Sequence, residues 1–250
     1  MSIEFESDDL SSLTVMLSPD RLSALNTLTG STGSAIEFHQ ETLRLGSSLM
    51  TVIGTLEIAL RNHVCENLAG YFGQPWWMTN PPHPFQWREM EKKKIAQALD
   101  NARRSEYAKL TQSEKAHLDT LAFPNGRPSG MLHRNKVKAR RDHIQVSEGK
   151  VVAEITFHFW KRIYSPDYDH SLWRTTLKKT FPNRKLKRAE IADQLEHVYQ
   201  ARNRLAHHEP VLHRRFDDTV AAIQFISERL GELKPGPHAP LAKWFCRKLF

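Results

Sequence analysis

Gln194-Leu195-Glu196-His197-Val198-Tyr199-Gln200-Ala201-Arg202-Asn203-Arg204-Leu205-Ala206-His207-His208-Glu209-Pro210 is the stretch whose reading decides the fold. From about Arg188 its apolar positions fall at Ile191, Leu195, Val198 and Leu205, which is helical spacing. Arg202 completes that seam, four residues after Val198 and three before Leu205. A core-facing arginine needs a carboxylate, a phosphate or a water-filled cleft, because an unpaired buried charge is very costly. Pro210 disfavours helix at Glu209, so the histidine pair is expected in the last frayed turn or just beyond it. Five residues along an ideal helix turn His207 about 140° away from Arg202. A loosened helix end, or a second copy of the chain, would be needed to bring both to one ligand.

Outward from this helix the pattern stays helical. Ser18-Pro19-Asp20 opens a short helix through Leu22, Leu25 and Leu28, and Gly30 to Ser34 is a loop. A long helix is expected from about Ser34 to Tyr71, with Leu49, Ile53, Leu56, Leu60, Val64 and Leu68 as its buried stripe. Within it Glu57 and Arg61 stand four apart in the acid-first order that favours pairing. Gln86 to Glu106 reads as a charged helix with Met90, Ile95 and Leu99 as apolar points, and Ala122 to Gly130 as a loop. Val151 to Tyr164 has the composition of a strand, but Val152, Ile155, Phe159 and Ile163 keep helical spacing, which favours helix. Leu172 to Phe181 is expected as a further short helix, and Phe216 to Leu230 as the last, stopped by Gly231.

Composition narrows the classes. Hydrophobic content of 40% with 26% charged residues describes a globular protein with a core. Cys65 and Cys246 are too few for a disulfide framework, and neither stands at metal-ligand spacing. The N-terminal residues are acidic and lack a signal-peptide pattern, and the apolar run Leu49 to Leu60 is too short to span a bilayer. A cytoplasmic protein without membrane association is the expectation. Residues 1–20 contribute −5 to a net charge of +8, which leaves +13 on the remainder. That surplus, clustered in Arg134-Asn135-Lys136-Val137-Lys138-Ala139-Arg140-Arg141 and between Lys178 and Arg188, suits a nucleic-acid partner. Arg134, Lys136, Lys138, Arg140, Arg141 and Arg204 are therefore candidate RNA-contacting residues. Trp160, Tyr164, Tyr168 and Trp173 are candidates either for stacking on bases or for the core, with Trp160 assigned to the core. No phosphate loop, dinucleotide fingerprint, nucleophile elbow or helix-turn-helix stands out.

Arg202-Asn203, three residues, then His207 resembles the motif of the HEPN superfamily of ribonucleases. The longer string Ala201 to Pro210 resembles its Abi-like (abortive infection) branch. So do Leu56-Glu57-Ile58-Ala59-Leu60-Arg61-Asn62, Phe72-Gly73-Gln74-Pro75-Trp76-Trp77 and Glu154-Ile155-Thr156-Phe157-His158-Phe159-Trp160. The resemblance implies an all-α, HEPN-like helical bundle with additional N-terminal helices and a short C-terminal tail. The expected division is an acidic arm over 1–20, one helical domain over 21–230 with its catalytic helix at about 188–207, and a linker and tail over 231–250. It implies a metal-independent endoribonuclease of a phage-defence or toxin-type system, working as a homodimer without a cofactor, with an antitoxin or defence-system partner as a further expectation. Arg202, Asn203 and His207 would be catalytic, and Glu57, Arg61 and His208 would support the site. Histidine suits proton transfer near neutral pH, and arginine grips a phosphate without deprotonating. Two other readings stand beside this one. Arg202 can be a structural ion pair with Glu57 or another carboxylate, and His207, His208, Glu209 and His213 form a ligand-like cluster that lacks the spacing of a helical metal motif. A non-catalytic HEPN-type module that binds RNA or protein is the alternative function.

Overall fold

Helical periodicity governs the whole chain. The structure is a computed structural model that describes residues 6–249, with side chains as far as Phe245; these residues form helices and no strand. Glu4 of the acidic arm and the Cys246 side chain lie outside the described residues. In chain order come α1 (Ser7–Leu17), α2 (Pro19–Thr29), α3 (Thr32–Phe72), α4 (Glu89–Lys109), α5 (Gln112–Ala122) and α6 (His133–Asp142). Then follow α7 (Glu148–Glu154), α8 (Phe157–Arg162), α9 (Arg188–Ala206), α10 (Arg214–Ser227) and α11 (Pro240–Leu249).

The chain divides into two compact units: Met1–Ala59 with Asn183–Lys185 and Asp193–Phe250, and Leu60–Pro182 with Leu186–Ala192. Residues 21–230 thus include parts of both. In the first unit α1 packs on α2, and α10 on α11. Leu22, Leu25, Ala35 and Ile36 form a small apolar cluster flanked by Leu10, Leu13, Leu17 and Phe38. Leu49, Val52, Ile53 and Leu56 of α3, Leu195, Val198 and Leu205 of α9, and Ile223 and Ile226 of α10 are all buried. By length and composition α3 is long and apolar enough to cross a membrane, although the run Leu49 to Leu60 alone is short.

In the second unit α4 packs on α6 and α7, and α5 on α6. Trp87 is central to its aromatic core, with ring centroids 4.9 Å from Phe85, 5.4 Å from Phe159 and 6.0 Å from Tyr168. Its indole N–H donates to the Met78 carbonyl at 2.9 Å. Tyr164, Tyr168 and Trp173 are buried with Trp160, so all four aromatics serve the core rather than a stacking surface.

Several elements differ from the sequence expectation. The acidic arm contains α1, and α5 was not anticipated. α4 turns Met90 outward and buries Glu91, whose carboxylate accepts a hydrogen bond from the Tyr168 hydroxyl at 2.6 Å. The helix expected over Val151 to Tyr164 is two short helices, because Ile155 and Thr156 take extended backbone angles. β-Branched side chains are stiff in helices, and the break lets Ile155, Phe157, Phe159 and Trp160 all be buried. Leu172 to Phe181 is no regular helix. A π-turn over Asp169–Trp173 and a 3-10 turn over Leu177–Thr180 replace it. Threonine hydroxyls compete for carbonyls there: Thr175 donates to Ser171 O at 2.9 Å, and Thr176 to Asn67 O at 2.9 Å.

Candidate functional site

The C-terminal turns of α9 carry the motif. Arg202 is half-buried between Val198 and Leu205, as its place in the apolar seam requires. Among the described residues its guanidinium is seen in no ion pair or hydrogen bond. Glu57 is half-buried on α3 and engaged in an interaction. Asn203 is half-buried and His207 exposed. Four residues apart, these two share a helical face, about 100° round from Arg202 for Asn203.

The histidine pair lies just beyond the end of α9, as the proline suggested. The His207 N–H donates to the Asn203 carbonyl at 3.2 Å and to the Arg204 carbonyl at 3.0 Å. His207 therefore still follows the helical rotation, and the break falls one residue later. His208 takes a left-handed conformation with φ 56°. Its N–H donates to Leu205 O at 3.0 Å, and the Glu209 N–H donates back to Arg204 O at 2.9 Å. This is a Schellman cap with histidine where glycine is usual. The side chains of Arg204 and Glu209 close it with an ion pair of 3.1 Å, so one terminal nitrogen of Arg204 is taken up by the cap.

Within the first unit Arg21, which the sequence reading missed, supports this cap, and the buried His39, also missed, lies in the field of its charge. Arg21 of α2 donates from Nη1 to the His208 carbonyl oxygen at 3.2 Å. His39 of α3 is 3% exposed and its Nδ1 has no hydrogen-bond partner. Burial holds its pKa below the usual histidine value of 6.5, and the Arg21 charge lowers it further. No local signal marks either residue, since their partners lie far along the chain.

Beside the cap lies a cleft of about 570 Å³, walled by Thr42, Gly46, Ser47 and Met50 of α3 and by Leu205, His208 and Pro210. Its depth depends on Gly46: a Cβ there would stand 3.1 Å from Leu205 Cδ2. Neither Arg202 nor His207 lines this cleft.

The remaining candidates belong to the second unit and are described separately. Arg61 is half-buried, and its Nε lacks a hydrogen-bond partner. Burial pushes the nearby Cys65 thiol up to about 12, although the Arg61 charge opposes the shift, so Cys65 is no nucleophile at neutral pH. The basic run forms α6, and three of its five cations are tied to carboxylates. Arg140 grips Asp119 with two nitrogens and reaches the Tyr107 hydroxyl at 3.0 Å. Lys136 pairs with Asp119 at 3.2 Å and Arg141 with Asp100 at 3.3 Å. The Asp119 carboxyl is held at about 2, chiefly by the Arg140 hydrogen bond. Arg134 and Lys138 remain exposed. Sequence alone could not separate these two roles, because the acids that bind the run come from other helices.

Among the described residues, no group of three or more histidine, cysteine or acidic side chains is placed to hold a metal ion. No family model, curated protein or solved structure matches the chain.

Proposed function

We propose that the chain is a metal-independent endoribonuclease of a bacterial phage-defence or toxin-type system, with a HEPN-like helical domain and Arg202, Asn203 and His207 at its active centre. The observation that carries this reading is Arg202 itself. It is a half-buried guanidinium at the end of a core helix with no carboxylate partner among the described residues, while its neighbour Arg204 is paired. Such a cation is available to a phosphate. In the proposed reaction a base removes the ribose 2′-OH proton, and the 2′-oxygen attacks phosphorus. The 5′-oxygen then leaves and takes up a proton, giving a 2′,3′-cyclic phosphate and a 5′-hydroxyl. Arg202 would neutralise charge on the phosphorane, His207 would transfer a proton, and Asn203, on the same face as His207, would orient it.

Helical register bears on the assembly. Arg202 and His207 project about 140° apart along one α9, so one chain does not aim both at a single phosphate. A homodimer that brings the two motifs together is part of the proposal, as are a cytoplasmic setting and a neutralising or defence-system partner. The same divergence favours the second reading, a non-catalytic module that binds RNA or protein.

The test is incubation of the purified protein with mixed cellular RNA in EDTA, wild type beside Arg202→Ala and His207→Ala, with product ends read by phosphatase and kinase. Cleavage that leaves cyclic phosphates and is lost in both variants supports the nuclease. Binding without cleavage favours the module, and cleavage untouched by either substitution removes the site assignment.

A further inference from the structure

A second cleft, of about 310 Å³, lies in the first unit along α9 and the start of α10. Its polar lining is His197, Gln200 and Arg204 from α9 with Arg215, Asp218 and Thr219 from α10. On α9 the spacing 197, 200, 204 marks one helical face. Arg204 projects about 160° from Arg202, so this face is turned away from that arginine, while His207, three residues after Arg204, lies on the same side.

The cleft is cationic and its donors exceed its acceptors. The Arg215 guanidinium has no ion pair or hydrogen bond among the described residues. Arg204 uses one terminal nitrogen on Glu209, while its buried Nε has no partner. Asp218 is the only acid in the lining, and Arg214 stands 3.7 Å from it. The Thr219 hydroxyl donates to the Arg215 carbonyl at 2.6 Å, which fixes the first turn of α10. That turn presents the positive end of a 14-residue helix on the Arg215 side. Two guanidiniums with spare donors call for an acceptor-rich anion, and phosphate matches their planar forks. The volume is at the lower end for small-ligand pockets and suits one nucleotide rather than a folded nucleic acid.

We propose that this cleft binds a mononucleotide-sized phosphomonoester, with Arg215 and Arg204 on the phosphate and Gln200 and Asp218 facing its sugar or base. It would be a ligand site on the side of α9 turned away from Arg202. Its binding does not depend on Arg202.

The experiment is calorimetric titration of the full chain at low salt with AMP, inorganic phosphate and adenosine. Wild type is compared with Arg215→Glu, Arg202→Ala and the exposed control Arg184→Glu, which makes the same charge change elsewhere. Circular dichroism verifies folding, and Arg215→Gln serves if the charge reversal perturbs it. The expected result is binding of AMP and phosphate but not adenosine. Arg215→Glu should weaken AMP by roughly tenfold or more and Arg184→Glu by less than about twofold, and Arg202→Ala should leave the Arg215-dependent binding in place. Equal binding of adenosine and AMP would overturn the proposal. So would an unchanged Arg215→Glu variant, or no binding of either phosphate probe at millimolar concentration. Displacement of AMP by an RNA oligonucleotide without terminal phosphates would assign the site to backbone diesters and overturn the monoester reading.

Discussion

Arg21 and His208, 187 residues apart in the chain, are joined by a hydrogen bond of 3.2 Å from the guanidinium to the backbone carbonyl oxygen. The acceptor belongs to the residue whose left-handed backbone ends α9. Arg21 thereby ties α2 to the cap that follows the arginine–histidine motif. Replacing it with Ala should lower stability by about 0.5–1.5 kcal/mol, toward the lower end because the side chain is exposed. Urea denaturation measures this. If Arg21 positions the motif, the proposed RNA cleavage should fall by more than the lost folded fraction explains, and Arg21→Lys should recover part of it.

His39 predicts an acid limb. Its folded-state pKa lies below the unfolded value of 6.5 because burial disfavours the cation, with Arg21 adding to the shift. The unfolded chain therefore binds the proton first, and stability is lost as pH falls below about 6.5 toward the folded value. Equilibrium unfolding between pH 8 and pH 5 should show this slope, and His39→Gln should flatten it. An equal slope in the variant would assign the limb to other groups. Asp119 acts in a separate window, since its stabilisation is lost only as pH drops from 3.8 toward about 2.

The contact between Gly46 and Leu205 predicts coupling. Alanine at position 46 gains about 1 kcal/mol in helix propensity but meets Leu205 Cδ2 at 3.1 Å. Gly46→Ala should therefore be more favourable in a Leu205→Ala background than in wild type, by about 1 kcal/mol. A double-mutant cycle by chemical denaturation reads this directly. Additive effects would mean that Leu205 moves aside freely.

His208 separates a capping role from a chemical one. Its φ of 56° suits glycine, and a left-handed residue with a Cβ costs on the order of 1 kcal/mol. His208→Gly should raise stability by about that amount and leave the proposed RNA cleavage within a fewfold of wild type. Loss of cleavage in a stabilised variant would move His208 from the cap into the chemistry.

Much of the fold is legible in residue spacing. The seams of α3 and α9 follow from apolar residues three and four apart, and burial of Leu49, Ile53, Leu56, Leu195 and Val198 agrees with them. α5 was legible too, because Thr111-x-x-Glu114 is a capping box: the Thr111 N–H donates to Glu114 at 2.7 Å. Glu91 was not. A glutamate in an apolar seam reads as exposed until a distant tyrosine hydroxyl reaches it.

The sequence by itself determined an all-helical chain, the long helix α3, and the placing of Arg202 within the seam of α9. These depend on local periodicity, which neighbouring residues encode. Only the tertiary structure decided which cations are free. Arg140, Arg141, Lys136 and Arg204 are bound to carboxylates, whereas Arg202 and Arg215 have no such partner among the described residues. It also decided that the turn after α9 closes on a left-handed His208, and that Arg21 holds that end. An ion pair or a cap depends on where two side chains meet in space, and the distance between them along the chain carries no record of that meeting.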